Sequence, residues 1–243
     1  MSKPDPNSVI HYQLDVNTYL AGNRIGDPPK SHFDFCAENS LWRLGESLSG
    51  PGSDYKFTRE ITRHIERIIN QYDIKNVFDA SCGDWCWMQS VNLSGIEYTG
   101  NDISPIIVNA NLEKFSRREN VKFTLGDCLD YFKKKENNSI DLCIIRHTLE
   151  HLSIDHSIEI LKEATRVCKY AIITDTLSNE TNVNTDDFVV DGYTARPISL
   201  SKSPFKEIVG DPIETFFDGL VEHDPITGTP ILGKDNTSFF EWK

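Results

Sequence analysis

The chain has 243 residues, of which 38% are hydrophobic and 26% charged, and its formal net charge is -12. This length and composition predict one ordinary globular domain with a sizeable core. The acidic balance argues against a nucleic-acid partner, because a protein that holds many phosphates needs a basic face.

The sequence contains no run of 18 apolar residues, and its N-terminus lacks the apolar segment of a secretory signal. We therefore expect a cytoplasmic protein without a membrane span. The cysteines fall partly inside apolar runs, which favours reduced, buried thiols over disulfides. Cys82 and Cys86 have no second pair of matching spacing, so no metal site is predicted. Nothing in the sequence specifies an oligomeric state.

Residues 1–30 are rich in Pro, Asn, Gly and Asp, and the pattern predicts a loop or poorly ordered lead-in. A loop rich in Gly, Ser and Pro follows at 45–54. Apolar residues then recur at helical spacing in "YKFTREITRHIERIINQY", which predicts a helix with Thr58 as a plausible N-cap. We divide the chain into an N-terminal segment, 1–55, and a main domain, 56–243.

Five short runs rich in Val, Ile, Phe and Tyr follow at 76–81, 96–102, 121–127, 140–145 and 170–175. Helix-compatible stretches such as 104–117 and 155–168 separate most of them. This alternation predicts a Rossmann-like, doubly wound α/β fold with a mostly parallel sheet of about seven strands and helices on both faces. The late aromatics Phe216, Phe217, Phe239 and Phe240 are expected in the last strands, partly in the core.

Polar residues end each of these runs. Four runs end in Asp79, Asp102, Asp127 and Asp175, and the run at 140–145 leads into Arg146 and His147. In sheets of this kind ligands bind at the carboxyl ends of the strands, so the polar ends predict one cleft.

The first run continues into "VFDASCGDWCWM", which predicts a strand, a sharp turn at Gly83 and a helix. The dinucleotide fingerprint G-x-G-x-x-G is absent, which disfavours a nicotinamide enzyme. Asp102 is placed to accept hydrogen bonds from both ribose hydroxyls of a nucleoside, and Asp127 to read an adenine amino group. Either carboxylate alone is more often a helix N-cap, but the three features in this order are more specific.

Four segments carry a family resemblance: "VFDASCGDW", "YTGNDIS", "LGDCLDYF" and "DLCIIRHTLEHL". They resemble the successive motifs of class I S-adenosylmethionine-dependent methyltransferases over roughly residues 40–205. The segments "WRLGESLSGPGS", "CGDWCWM" and "DGYTARPISLSKSPF" are similar to a narrower subgroup from microbial and viral surface-glycan contexts, thought to be sugar O-methyltransferases.

The resemblance implies S-adenosylmethionine as cofactor, held by residues of these motifs: Asp79, Ser81, Cys82, Gly83, Trp85, Asp102, Ile103, Asp127, Cys128 and Arg146. Two positions that are usually glycine in the family are Ser81 and Trp85 here. We expect Trp85 to block a close backbone approach to the cofactor methionine, and the "SGPGS" loop with Ser53 to close that side instead. A flexible linker is the equally plausible interpretation of this loop.

The stretch "RHTLEHL" also matches H-x-x-E-H, the inverted zinc-protease signature, which needs both histidines on one helix. A strand running directly into Arg146 and His147 makes that spacing doubtful, and a methyltransferase would use the position to line the methyl-transfer cleft. A neutral sugar hydroxyl is a poor nucleophile, and histidine suits the role of general base. His147 is the first candidate base, His151 the second, and Asp175 an orienting or alternative base; each could instead be a hydrogen-bonded polar residue at a strand end.

The segment "GYTARPISLSKSPF" is expected to shape the acceptor pocket, with Arg196 and Lys202 holding the diphosphate of a nucleotide-activated sugar. Two solvated cations on a loop are the simpler interpretation.

The sequence therefore predicts an enzyme, an S-adenosylmethionine-dependent methyltransferase acting on a hydroxyl of a small sugar derivative. Methylation of a protein side chain or another small metabolite is the alternative within the class. Two other classes stay open: a noncatalytic cofactor-binding module, and a nicotinamide-dependent sugar-modifying oxidoreductase. For the oxidoreductase, Tyr131 and Lys135 supply the expected spacing but lack the glycine loop.

Overall fold

A computed structural model describes residues 30–43, 45–176, 182, 196, 198–218, 222–223, 230–231 and 235–242. Seven strands form one sheet: β1 (Asn76–Ala80), β2 (Glu97–Asp102), β3 (Val121–Leu125), β4 (Ile140–Ile145), β5 (Cys168–Thr176), β6 (Glu214–Phe217) and β7 (Asp235–Glu241). Their order is β3-β2-β1-β4-β5-β7-β6. The first five strands run parallel, and β7 is antiparallel to both β5 and β6. The predicted mostly parallel, Rossmann-like sheet is confirmed.

The helices among the described residues are α1 (Lys30–Glu38), α2 (Tyr55–Gln71), α3 (Pro105–Lys114), α4 (Cys128–Lys133), α5 (Ile154–Val167) and α6 (Lys206–Val209). Short 3-10 turns lie at Pro51–Ser53, Met88–Ser90 and Leu149–His151, and Glu222–His223 pairs with Pro230–Ile231 in a separate ribbon. None of these helices is long and apolar enough to cross a bilayer.

Alternate residues along each strand divide the core into two layers, as the two-residue period of a strand requires. In β1, Val77 packs with the isoleucines of α2, whereas Phe78 packs with α4 and α5. Phe239 and Phe240 of β7 divide in the same way. Phe216 is also buried, as predicted, and the side chain of Phe217 lies outside the described residues.

The start of α2 differs from the prediction. The helix begins at Tyr55 after Asp54, and Thr58 lies one turn inside it. The Thr58 hydroxyl donates to the Asp54 carbonyl oxygen at 3.1 Å. This bond to the backbone one turn earlier is a helix-interior role of threonine, so the prediction of Thr58 as N-cap was wrong.

The segment after β1 also differs, because no α-helix follows Gly83. Trp85 has a φ of 54°, a left-handed conformation that interrupts a right-handed helix, and only the 3-10 turn at Met88–Ser90 forms. The Trp85 side chain is fully buried in the core and contacts the rings of Phe115, Phe123 and Tyr98. The backbone at this position therefore buries the Trp85 ring in the core, and the expected helix does not form.

Candidate active site

A cavity opens where the carboxyl ends of β1, β2, β3 and β4 meet at one edge of the sheet. Its empty volume is about 1120 Å³, including the part open to solvent. The predicted site residues that line it are Ser53, Asp79, Ser81, Cys82, Gly83, Asp102, Ile103, Asp127, Cys128, Arg146, His147 and His151. The polar strand ends from Asp79 to His147 thus form one cleft, although they are distant in sequence, as a parallel sheet dictates.

The loop after β1 is shaped by positive φ angles and by hydrogen bonds from the neighbouring strand. Ser81 has a φ of 90° and Gly83 a φ of 54°. The backbone N–H groups of Ser81 and Cys82 both donate to the carbonyl oxygen of Asn101 at 2.8 Å. A Cβ atom on Gly83 would lie 2.3 Å from the hydroxyl oxygen of Ser49. Only glycine therefore fits at position 83.

Asp102 ends β2 and turns its carboxylate toward this loop. One oxygen accepts the Gly83 N–H and the other the Ser104 N–H, each at 3.0 Å. Burial raises the pKa of Asp102 to about 6, although the backbone donors act in the opposite direction. The N-cap of α3 is Ser104, whose hydroxyl accepts from the Ile107 N–H. Asp102 is therefore not the N-cap of α3, and its carboxylate can accept further hydrogen bonds from ribose hydroxyls.

Asp127, in contrast, has the structural role that was weighed against the functional one. It is the N-cap of α4, where its Oδ1 accepts the Leu129 N–H at 2.9 Å. Its Oδ2 lies 3.2 Å from Nε2 of His156, a buried residue of α5 that also lines the cavity. Because a carboxylate accepts several hydrogen bonds, capping does not exclude contact with an adenine amino group.

Asp79 lies deeper in the cleft at the end of β1. Its carboxyl is buried and accepts a hydrogen bond from the Tyr98 hydroxyl at 2.6 Å. Burial raises the pKa of Asp79 to about 7, while the Tyr98 bond and the charge of Arg146 act to lower it. This carboxyl can therefore exchange a proton near neutral pH.

Arg146 and Asp218 form a buried bidentate ion pair behind the cleft. Nε and Nη2 of Arg146 donate to the two carboxylate oxygens of Asp218 at 2.7 and 3.0 Å. Burial alone would raise the pKa of Asp218, but Arg146 holds it below its usual range. Nη2 also donates to the Gly52 carbonyl oxygen at 2.8 Å. The charge of Arg146 is thus compensated, and its position joins β4 to the N-terminal loop.

His147 is the second residue after β4 and has a left-handed conformation with a φ of 49°. Its Nδ1 lies 2.8 Å from Oε1 of Glu150, a buried carboxylate. A Cβ atom on Gly52 would lie 3.5 Å from His147 Nε2, so the backbone at Gly52 lies close to this edge of the ring. His151 stacks on Trp42 at 5.6 Å between ring centroids, and Phe33 meets both rings edge-on. These two histidines and two aromatic rings line one wall of the cavity.

The N-terminal segment covers the cleft through residues that were not predicted. Asp84 accepts hydrogen bonds from the Ser47 hydroxyl and the Leu48 N–H, both at 2.8 Å. Asp54 accepts from the N–H groups of Glu46 and Ser47. We call residues 45–54 the strap. The sequence predicted closure by the "SGPGS" loop, but it did not reveal the partners of Asp84, which lie 36 and 37 residues away.

Four of the predicted site residues do not line the cavity. The ring of Trp85 points into the core and does not block the cleft, contrary to expectation. Asp175 accepts the Leu200 N–H at 2.9 Å and does not line the cavity. Among the described lining residues, neither Arg196 nor Lys202 occurs. Residues 192–195 and 197 of the same segment lie outside the described residues.

Neither competing motif forms its expected site. Leu149–His151 is a 3-10 turn that begins after His147, so the two histidines of H-x-x-E-H do not share an α-helix. The described part of the chain contains no group of three or more His, Cys, Asp or Glu side chains that could hold a metal ion. Tyr131 stacks on Phe78 outside the cavity, which removes it from any role equivalent to that of an oxidoreductase tyrosine.

Comparisons with known proteins point to a methyltransferase domain. Residues 78–171 match the family model described as a methyltransferase domain. The N-methyltransferase NodS from Bradyrhizobium japonicum WM9, solved with S-adenosyl-L-homocysteine, shares 10% identity at a TM-score of 0.58, covering 87% of this chain and 97% of NodS. No curated protein sequence matches the chain.

Two further solved structures share the fold. The PH0226 protein from Pyrococcus horikoshii OT3 has a TM-score of 0.54 at 16% identity, covering 84% of this chain and 98% of its own. The methyltransferase domain of bacterial CtHen1 has a TM-score of 0.54 at 15% identity, covering 76% and 99%. At these identities the likeness establishes the fold alone.

The match over residues 78–171 and the strand order support an S-adenosylmethionine-dependent methyltransferase domain with a Rossmann-like fold. Its cofactor is S-adenosylmethionine. The residues present fit that molecule, because Asp102 offers a partly buried carboxylate at the end of β2, beside the turn at Gly83 that also lines the cavity. These findings favour a methyltransferase over the alternative of a nicotinamide-dependent oxidoreductase.

Proposed function

We propose that this methyltransferase transfers a methyl group to a hydroxyl of a sugar or nucleotide-activated sugar, with His147 as general base. Bound S-adenosylmethionine supplies an electrophilic methyl group on a sulfonium. The chain contributes a cleft that aligns the two reactants, which alone accounts for much of the rate of such a displacement. A neutral hydroxyl also needs an acceptor for its proton, and general bases contribute typically about 10²- to 10⁴-fold.

The position of the His147 ring is the observation that carries this proposal. The ring lies at the end of β4 in the cavity wall, and its Nε2 edge faces the glycine backbone of the strap. His151, the second candidate, stacks on Trp42 and would form part of the acceptor wall. Asp175 binds the Leu200 N–H away from the cavity, which makes it the weakest of the three candidates.

We assign the cofactor side of the cleft to the loop after β1 and to the ends of β2 and β3. Asp102 would accept the ribose hydroxyls, while Ile103 and Cys128 would contact the adenine. Gly83 would face the methionine part, and Ser53 would close the cleft from the strap. Each of these residues lines the cavity. The opposite wall, with Phe33 and Trp42, is left for the acceptor.

The charges of the described lining favour an acceptor without phosphate groups. Asp79, Asp102 and Asp127 contribute carboxyl groups, and the cation in the described lining, Arg146, is already paired with Asp218. A nucleotide-activated sugar would need its diphosphate neutralised, and Arg196 and Lys202 do not line the described cavity. A plain sugar hydroxyl therefore fits better than the activated form.

Amine methylation is a second candidate, because acidic cavities attract cationic groups. Its support is the set of three carboxyl groups in the lining, and NodS, whose fold is shared, is an N-methyltransferase. In this reaction His147 would still take a proton, from the ammonium form of the acceptor.

The experiment is turnover of isotope-labelled S-adenosylmethionine with three acceptor sets: methyl glycosides, nucleotide sugars and aminosugars. NMR of the product distinguishes an O-methyl from an N-methyl group. We expect O-methyl products that the His147→Gln variant forms at least about 100-fold more slowly, with unchanged S-adenosylhomocysteine affinity. Undiminished turnover by His147→Gln would remove His147 as base, and exclusive N-methylation would favour the second candidate.

A further inference from the structure

A buried carboxylate sits directly behind the candidate base. Glu150 belongs to the 3-10 turn at Leu149–His151 and is 5% exposed. Its Oε1 lies 2.8 Å from Nδ1 of His147, three residues earlier in the chain. The left-handed backbone of His147 turns the chain so that its ring lies against the turn that follows.

The charge state of Glu150 determines which of the two atoms is the donor. Burial alone would raise the pKa of Glu150, but the hydrogen bond with His147 holds it below the usual range. Glu150 is therefore a carboxylate, which can only accept hydrogen bonds. The bond requires the proton to be on Nδ1 of His147, and the neutral ring then carries its lone pair on Nε2.

The environment of Nε2 is consistent with a proton acceptor. Within the described part of the chain His147 makes no hydrogen bond other than the one to Glu150. On the other side of the ring Nε2 faces Gly52, which has no side chain to cover it. The His147 ring lines the cavity and its side chain is 27% exposed, so a ligand in the cavity can reach the ring.

We propose that Glu150 is a positioning residue that fixes His147 as the Nδ1–H tautomer and stabilises the imidazolium formed during methyl transfer. This inference rests on the proposed function. The hydroxyl proton of the acceptor passes to Nε2, its oxygen forms the new bond to the methyl carbon, and the carbon–sulfur bond breaks with its electron pair kept by sulfur. The products are a methyl ether, S-adenosylhomocysteine and an imidazolium whose charge faces the Glu150 carboxylate.

Two variants separate the two parts of this role. Glu150→Leu removes the acceptor, so Nδ1 loses its partner. Glu150→Gln keeps a carbonyl oxygen that can still accept from Nδ1–H, but it removes the charge that stabilises the imidazolium. Glu60→Gln is the matched control, because Glu60 forms an exposed i,i+3 pair with Arg63 and neither residue lines the cavity.

The first measurement needs no acceptor. Long-range ¹H–¹⁵N correlation spectra of the full chain with S-adenosylhomocysteine show which ring nitrogen carries the proton, and the His147→Gln variant assigns the signals. We expect Nδ1–H in the wild type and in Glu150→Gln, and a shift toward Nε2–H in Glu150→Leu. An Nε2–H tautomer in the wild type would overturn the inference, whatever reaction the enzyme performs.

The second measurement is a double-mutant cycle on whichever acceptor turns over. We expect Glu150→Leu to lower kcat at least about tenfold, Glu150→Gln to restore part of it, and the KM for S-adenosylmethionine to stay unchanged. In the His147→Gln background, Glu150→Leu should have no further effect. Additive losses would show that Glu150 acts structurally. A failed acceptor screen with the Nδ1–H tautomer present would instead refute only the proposed function.

Discussion

Asp102 offers a direct test of how the cleft holds its cofactor. Both of its carboxylate oxygens already accept a backbone N–H, from Gly83 and from Ser104. In Asp102→Asn one of these N–H groups must face an amide NH₂, and the negative charge is lost. We expect weaker binding of S-adenosylhomocysteine, because an amide retains only one acceptor oxygen for the ribose hydroxyls and the loop.

The expected magnitude follows from the type of bond. A hydrogen bond to a charged group contributes about 1.5–3 kcal/mol, so losing one should weaken binding about 10- to 150-fold. Burial raises the pKa of Asp102 to about 6. Since the ionised form is the one that binds, affinity should level off above about pH 7 and fall by up to about tenfold per unit below about pH 6.

Calorimetric titration with S-adenosylhomocysteine from pH 5 to 8 measures both effects. Asp73→Asn is the matched control, because Asp73 is exposed and pairs only with Lys75 in the described structure. The acid-side loss should disappear in Asp102→Asn and persist in Asp73→Asn. Equal affinity of wild type and Asp102→Asn at pH 7 would refute the assignment of Asp102 to the ribose.

Three other perturbations test the framework of the site. Asp218→Asn leaves Arg146 buried without its counter-charge and should lower the free energy of unfolding by about 3–5 kcal/mol in urea titrations; a loss below about 1 kcal/mol would contradict this. Asp84→Asn should loosen the strap, which increased protease cleavage within 45–54 would report, whereas unchanged protection would show that Asp84 is dispensable. Gly83→Ala places a Cβ atom 2.3 Å from the Ser49 hydroxyl at a φ of 54°, so we expect weaker S-adenosylhomocysteine binding; wild-type affinity would mean that Ser49 moves freely.

The fold was predictable because its elements obey simple periods. Helices separate most of the strand runs, and Ile61, Ile65 and Ile68 of α2 are all fully buried, as their spacing requires. The location of the cleft followed from the same topology, since the polar residues after parallel strands must meet at one edge. Asp102 and His147 line the cavity for that reason.

The errors arose where a single backbone angle decides the outcome. Nothing in "CGDWCWM" indicates that Trp85 takes a φ of 54° and turns its ring into the core. The partners of Arg146 were equally hidden, because Asp218 lies 72 residues away and Gly52 lies 94. Such contacts depend on how distant segments pack, so they cannot be predicted from the local spacing of residues.

The residues with unusual backbone angles also indicate how the site keeps its shape. Ser81 and His147 adopt positive φ angles, each costing about 1–3 kcal/mol for a residue other than glycine. Both are held from outside their own loops: Asn101 accepts the Ser81 N–H, and the Thr148 hydroxyl donates to Ala80 at 3.1 Å. The strain persists because neighbouring strands fix it, so the proposed base and the proposed cofactor loop are positioned before any ligand binds.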